Sequence, residues 1–230
     1  MATGQQMETE VKPDGLDRAA RRRRVALAAI RHLRRADPRL GRLIARIGPY
    51  TPIITPNPFT ALIGSVVQQQ VSMSAAAAIY TRLRGLCPGG RLTPAAVLRR
   101  DVPALRSVGL SRQKAEYVRN VAEAFATRTL TAAALRRMPD EEVIAATTRL
   151  KGIGRWTAEM LLIFCLERPD VWPVDDLGLR KAVRNFTGMQ DVPKPAALQS
   201  LADPWRPYRS YATWYLWRSL EGPLMPGIAL

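Results

Sequence analysis

From Leu16 nearly to its end the chain repeats one pattern: apolar residues recur at helical spacing, and alternating strand-like runs are scarce. Alanine, leucine and arginine dominate, and all three favour helix. An all-α fold follows. "FTALIGSVVQQQ" (Phe59–Gln70) reads as a buried helix, with Asn57 to cap it and Pro58 in its first turn. "SMSAAAAIYTRLRGL" (Ser72–Leu86) comes next; its small residues permit close packing, and Ser72 is its N-cap. "TPAAVLRR" (Thr93–Arg100) opens on a Thr cap and a proline. "SRQKAEYVRNVAEAFATR" (Ser111–Arg128) sets Ala115, Val118, Ala122 and Phe125 on one face. "PDEEVIAATTRL" (Pro139–Leu150) places acids in its first turn, where the helix dipole favours them. "RWTAEMLLIFCLE" (Arg155–Glu167) lies beyond a Gly-x-Gly turn, and "RPDVWPVDD" (Arg168–Asp176) interrupts the helical pattern with two prolines. A short basic helix, "LGLRKAVRNF" (Leu177–Phe186), and an aromatic-rich C-terminal segment (204–222) complete the pattern. The first 15 residues are polar and without period, as in a flexible tail.

Charge narrows the function. Lys plus Arg number 35 against 19 Asp plus Glu, a net charge of +16. The first 35 residues account for +5, so +11 belongs to the rest. An excess of this size points to a polyanion, most simply nucleic acid. Two cysteines, Cys87 and Cys165, and one histidine, His32, cannot build a four-Cys iron–sulfur or zinc site or a His-rich metal centre. They are expected to be free, buried thiols in a reducing compartment. No apolar run approaches the roughly 20 residues of a membrane helix. "RRRRVALAAIRHLRR" has an apolar core of only six residues before Arg31, too short for a signal peptide, and reads as a basic amphipathic helix. A cytoplasmic, nucleoid-associated protein is expected, with no membrane partner.

Two motifs carry chemistry. In "LKGIGRWTAEM" (Leu150–Met160), glycine permits positive φ and close approach of another backbone. The following helix N-terminus offers unpaired N–H groups to an anion, with Lys151 and Arg155 beside it. Such a turn, Gly152 and Gly154 included, matches a helix–hairpin–helix element gripping one DNA strand without reading sequence. A plain αα-hairpin would need the same glycines. In "VDDLGLRKAVRNF", Asp175 and Asp176 precede a helix. Either serves as N-cap, and a carboxylate held ionised there can also stabilise a cationic sugar or orient a water.

Together "LKGIGRWTAEMLL", a proline-containing crossing and "DDLGLRKA" resemble the helix–hairpin–helix superfamily of DNA base-excision glycosylases, closest to the 3-methyladenine DNA glycosylase II group. "PFTALIGSVVQQQVSMSAAAAIYTRL", "LRSVGLSRQKAEYVRNVAEA" and "WRPYRSYATWYLW" fit the same group, so the resemblance spans about residues 45–220. It implies a two-lobed, all-α fold with a DNA-binding cleft. One lobe would be a bundle over 58–168 holding the hairpin at about 141–166; the other would join 16–57 to 169–230.

It also implies residue roles. The catalytic aspartate falls on Asp176, with Asp175 as second choice. Bifunctional members carry a Schiff-base lysine where this chain has Trp156, so a monofunctional enzyme is implied. Trp156, Met160 and Trp217 would line the base pocket, and Gln70 stands where the group has an apolar wedge. Backbone carbonyls of Thr148, Leu150 and Ile153 would hold a monovalent cation, Na+ or K+; no other cofactor is required, and no iron–sulfur cluster is expected. The implied activity is hydrolysis of the N-glycosidic bond of alkylated purines, 3-methyladenine and 7-methylguanine, by a monomer acting on damaged double-stranded DNA. Alternatives are a glycosylase for deaminated or oxidised bases, a non-catalytic DNA-binding protein, and an RNA-directed binder. The second hairpin residue is Lys151 where proline is commoner. Only about 45 residues precede the matching region, so the N-terminal α/β domain of well-known bacterial members is expected to be absent. Trp205, Tyr211 and Trp214 read as packing residues.

Overall fold

Short polar side chains set where the helices begin. A computed structural model describes residues 13–220, and among these no strand occurs. α1 (Pro13–Ala36) ends before Asp37, which caps α2 (Pro38–Ile47). Asn57 caps α3 (Pro58–Gln68), Ser72 caps α4 (Met73–Gly85), Thr93 caps α5 (Pro94–Leu98) and Asp101 caps α6 (Val102–Ser107). Ser111 caps α7 (Arg112–Ala126) and Thr131 caps α8 (Ala132–Arg137). Each of these oxygens accepts a backbone N–H that the helix itself leaves unpaired, a contribution of about 1 kcal/mol apiece. α9 (Asp140–Thr148) and α10 (Arg155–Phe164) flank the Gly-x-Gly turn. α11 (Leu177–Thr187), α12 (Pro195–Leu198) and α13 (Arg209–Arg218) follow.

The helices fall into two groups by packing. α3 lies against α4, α7, α8 and α10; α7 also covers α5 and α6, and α9 packs on α10. Separately, α1 packs on α2 and α13, and α13 on α2 and α11. The molecule is therefore all-α and two-lobed, its second lobe built from both ends of the described chain. One apolar core runs through both lobes. Leu33, Leu62, Leu83 and Leu162 are fully buried in it, at roughly 1.5–3 kcal/mol each. Between the lobes, Phe164 stacks on Trp217 at 5.9 Å; within the second lobe, the Tyr215 hydroxyl donates to the Gly48 carbonyl at 3.0 Å.

Several sequence expectations shift by a few residues. α1 begins at Pro13, inside the stretch read as a tail; residues 1–12 lie outside the described residues. α3 stops at Gln68 and not Gln70, because Gln70 takes a left-handed backbone with φ +55°. α10 stops at Phe164, and Glu167 beyond it also has positive φ, +58°. Trp205, Tyr211 and Trp214 are buried packing residues. Trp172 joins them, edge-on to Trp205 at 5.5 Å, with its indole N–H donating to the Leu198 carbonyl. Cys87 and Cys165 are free and buried, and burial pushes the Cys165 thiol up to about 12. Among the described residues no helix is long and apolar enough to cross a membrane.

Candidate active site

The site forms where three helices converge. Asp176 is the N-cap of α11, and its Oδ1 accepts the Leu179 N–H. Capping fixes the carboxylate at the positive end of the helix dipole. Trp217, near the end of α13, donates its indole N–H to Oδ1 at 2.8 Å. Trp156, in the first turn of α10, donates its indole N–H to Oδ2 at 2.6 Å. Both carboxylate oxygens are thus held by neutral donors from two other helices. Among the described residues no cation forms a salt bridge with Asp176. Its negative charge is held in place and left uncompensated.

The two indoles differ in exposure. Trp217 is buried, with one ring neighbour in Phe164. Trp156 is 41% exposed, so it offers an open aromatic face beside the carboxylate. Met160, one turn along α10 from Trp156, is enclosed in the core at 3% exposure. It is a core residue, with almost no surface to offer an open site. Gly178, which the sequence reading did not single out, keeps the site free: a Cβ there would lie 3.1 Å from Asp176 Oδ1 and 3.5 Å from the Trp217 indole. Its place two residues after the Asp pair was the available signal.

Asp175 does not share this site. It is exposed and lines a separate cavity of about 420 Å³ behind α10, together with Arg155, Glu159 and Asp170. Adjacent residues at a helix start point in different directions, and only the second of the pair reaches the indoles. Arg155 is held by carboxylates. Expected at the phosphate-binding turn, its guanidinium is instead bidentate to Glu141 at 3.1 and 2.7 Å and bonded to Glu159 at 3.2 Å. Two carboxylates outcompete solvent for it because they stand at fixed positions on α9 and α10. Glu159 is buried, with Oε2 unpartnered, and burial outweighs Arg155 to push its carboxyl up to about 7.

The remaining hairpin residues form the glycine turn between α9 and α10. Gly152 has φ +89° and Gly154 occupies the N-cap position of α10 with no side chain to offer, so the first N–H groups of that helix lack a side-chain partner. Lys151 is exposed and forms no ion pair among the described residues. Ile153 plugs into the core, and its N–H donates to the Leu150 carbonyl at 3.1 Å. Gln70 is exposed at the tip of the α3–α4 connection, and its neighbour Gln69 donates from its amide to the Gly152 carbonyl at 2.7 Å. The wedge candidate and the hairpin are thus structurally joined.

Comparison with known proteins agrees with this geometry. The family model described as HhH-GPD superfamily base excision DNA repair protein matches residues 63–207. DNA-3-methyladenine glycosylase 1 of Schizosaccharomyces pombe is 35% identical over 193 residues, covering 82% of this chain and 85% of that protein. The solved structure of a Schizosaccharomyces pombe 3-methyladenine DNA glycosylase in complex with abasic DNA superposes with a TM-score of 0.76 at 34% identity, covering 84% of this chain and 96% of that one. A DNA-3-methyladenine glycosidase structure from Bacillus halodurans gives 0.76 at 36% identity, covering 83% and 88%. A hairpin with free helix N–H groups, an N-cap aspartate held by two indoles and a match across most of the chain lead to one assignment: the chain belongs to the HhH-GPD superfamily of base excision DNA repair proteins.

Proposed function

We propose that the protein is a monofunctional DNA glycosylase that hydrolyses the N-glycosidic bond of alkylated purines, 3-methyladenine and 7-methylguanine, in duplex DNA. The observation that carries this reading is the convergence of Trp156 and Trp217 on Asp176, at 2.6 and 2.8 Å, beside the hairpin turn. A base stacked in a duplex cannot be reached, so it must be turned out into the site. An alkylated purine carries positive charge. The open face of Trp156 attracts such a ring, with a cation–π contribution of about 0.5–2 kcal/mol.

The chemistry then needs little from the protein. The C1′–N bond breaks with its electron pair going to the base, which leaves neutral because it began cationic. Positive charge develops on the sugar. Asp176, fixed and free of any salt bridge, stabilises that charge and orients the water whose oxygen bonds to C1′. The water's proton passes to solvent and an abasic site remains. The leaving group is activated by its own charge, so the step calls for no redox cofactor. With an indole and no amine at position 156, no Schiff base forms there and the strand is left intact.

Grip on the DNA strand is assigned to Lys151 and to the free N–H groups that follow Gly154 at the start of α10. The hairpin also suits a monovalent cation at the carbonyls of Thr148, Leu150 and Ile153. These neutral oxygens stand at and just beyond the C-terminal end of α9 and form an all-oxygen donor set; the Leu150 carbonyl accepts the Ile153 N–H and keeps its second lone pair for a cation. A bound Na+ or K+ would add positive charge near a DNA phosphate.

The test is release of 3-methyladenine and 7-methylguanine from methylated duplex DNA by wild type and Asp176→Asn. Release by wild type alone is expected. No release by wild type, with tight binding to an abasic-site duplex, would redirect the reading to other damaged bases or to DNA binding without catalysis.

A further inference from the structure

The connection between α3 and α4 is held from two sides. Lys114 on α7 donates from Nζ to the carbonyls of Val67, at 2.9 Å, and of Gln69. These groups stand at the C-terminal end of α3, where carbonyls lack helix partners and the dipole favours a cation. The ammonium is drawn partly out of solvent, which lowers its pKa. Gln69 in turn donates from Nε2 to the carbonyl of Gly152 in the hairpin turn, at 2.7 Å. Tyr117, one turn along α7 from Lys114, lies against the same turn: a Cβ on Gly152 would come within 2.1 Å of the Tyr117 ring. Gln113 fixes that ring by donating to its hydroxyl at 2.6 Å. One helix, α7, therefore holds both the α3–α4 connection and the hairpin.

Gln70 forms the tip of this connection. Its backbone is left-handed, φ +55°, and its side chain is exposed, with Val71 and Met73 exposed beside it. A non-glycine residue keeps such a conformation only where its surroundings over-determine it. Here they do so through the two contacts of Gln69, one by its carbonyl to Lys114 and one by its amide to Gly152.

We propose that Lys114 and Gln69 form a brace that locks the Gln70 tip to the hairpin, so that the part gripping one strand and the part entering the duplex act as one rigid unit. Lys114 is then a positioning residue for base extrusion, acting through Gln70. This rests on the glycosylase reading above. The physical argument concerns work. Turning out a paired base requires unpairing and unstacking, and this requirement is smallest for a base that is already unpaired. A tip free to yield would be pushed aside by the duplex. A tip tied to the element that grips the backbone transmits the force of binding to the base stack.

The experiment compares single-turnover excision of 7-methylguanine placed opposite cytosine and opposite an abasic analogue. Proteins are wild type, Lys114→Met, Lys114→Arg and Gln69→Leu, each checked for an intact thermal transition. Lys114→Met and Gln69→Leu are expected to slow excision of the paired lesion about tenfold and that of the unpaired lesion less than about twofold. Lys114→Arg keeps a donor and is expected to recover most of the paired rate; should Lys114→Met fail to fold, Lys114→Arg and Gln69→Leu carry the test. Equal loss on both substrates, or loss on neither, overturns the brace. A second readout needs no chemistry: fluorescence of 2-aminopurine paired opposite thymine, which rises when the base is unstacked. Wild type is expected to raise it and Lys114→Met to raise it less. If wild type excises nothing but still unstacks 2-aminopurine in a Lys114-dependent way, the glycosylase reading fails and the brace stands. If wild type leaves 2-aminopurine stacked, the brace fails as well.

Discussion

The two faces of α10 handle charge in opposite ways. Behind the helix, most charges are paired: Arg155 holds Glu141 and Glu159, Arg168 holds Asp140, and Arg206 and Arg209 hold Asp170. In front, Asp176 meets only neutral N–H donors from Trp156, Trp217 and the α11 backbone. A carboxylate already neutralised by a guanidinium has little field left for a cationic sugar. One held by indoles is oriented without being neutralised. The back face ties α9 to α10 and, separately, Asp170 to the start of α13, whereas the front face leaves a carboxylate paired with no cation among the described residues.

The sharpest test sets the two adjacent aspartates against each other. Asp176→Asn should lower excision by about 10²–10⁴-fold while leaving abasic-site DNA binding intact, and Asp175→Asn should change it less than about threefold. Single-turnover rates on one methylated duplex decide this, and the reverse ranking would move the catalytic group to the back face. Next in size is Trp156→Phe. It keeps an aromatic face but removes the donor to Oδ2, a charge-assisted bond of about 1.5–3 kcal/mol, so a loss of about tenfold or more is expected. A rate unchanged in Trp156→Phe but lost in Trp156→Ala would assign Trp156 to base stacking alone.

Gly178→Ala probes the same face more gently. The added methyl stands 3.1 Å from Asp176 Oδ1, so the carboxylate must move by a few tenths of an ångström. A loss of about three- to tenfold in kcat, with KM little changed, is the expected signature of small misplacement. Glu159→Gln should leave excision nearly untouched and act on stability. Burial raises the Glu159 carboxyl from 4.5 to about 7. Between these values the unfolded chain has released a proton that the folded chain keeps, so a stability penalty grows as pH rises from about 4.5 to 7 and is constant above. Glutamine removes that penalty, with Arg155 still held by Glu141. The variant should therefore unfold a few degrees higher at pH 8, of order 1 kcal/mol, with the gain vanishing near pH 4.5. A gain of equal size at both pH values would contradict an ionised, buried Glu159.

Much of the fold was legible because its signals are local. Asn57, Ser72, Thr93 and Asp176 each cap the helix that their sequence context announces. The hairpin was legible for the same reason: Gly152 needs positive φ, and a helix begins directly after Gly154. The end of α3 was not, since its carbonyls are taken by Lys114, whose place in the chain is 47 and 45 residues away. The fate of Arg155 was half visible. Its partner Glu159 stands four residues on, at helical spacing, but Glu141 arrives only when α9 folds back along α10.

The sequence by itself determined the helices, their caps, the glycine turn and the pair of aspartates at a helix start, because periodicity and backbone restriction act over a few residues. Only the tertiary structure shows that Asp176, and not Asp175, meets the two indoles. That meeting depends on Trp156, 20 residues before Asp176, and Trp217, 41 residues after it. No local rule aims an indole across a cleft; its direction is set by how α10 and α13 pack, and packing is a property of the whole core.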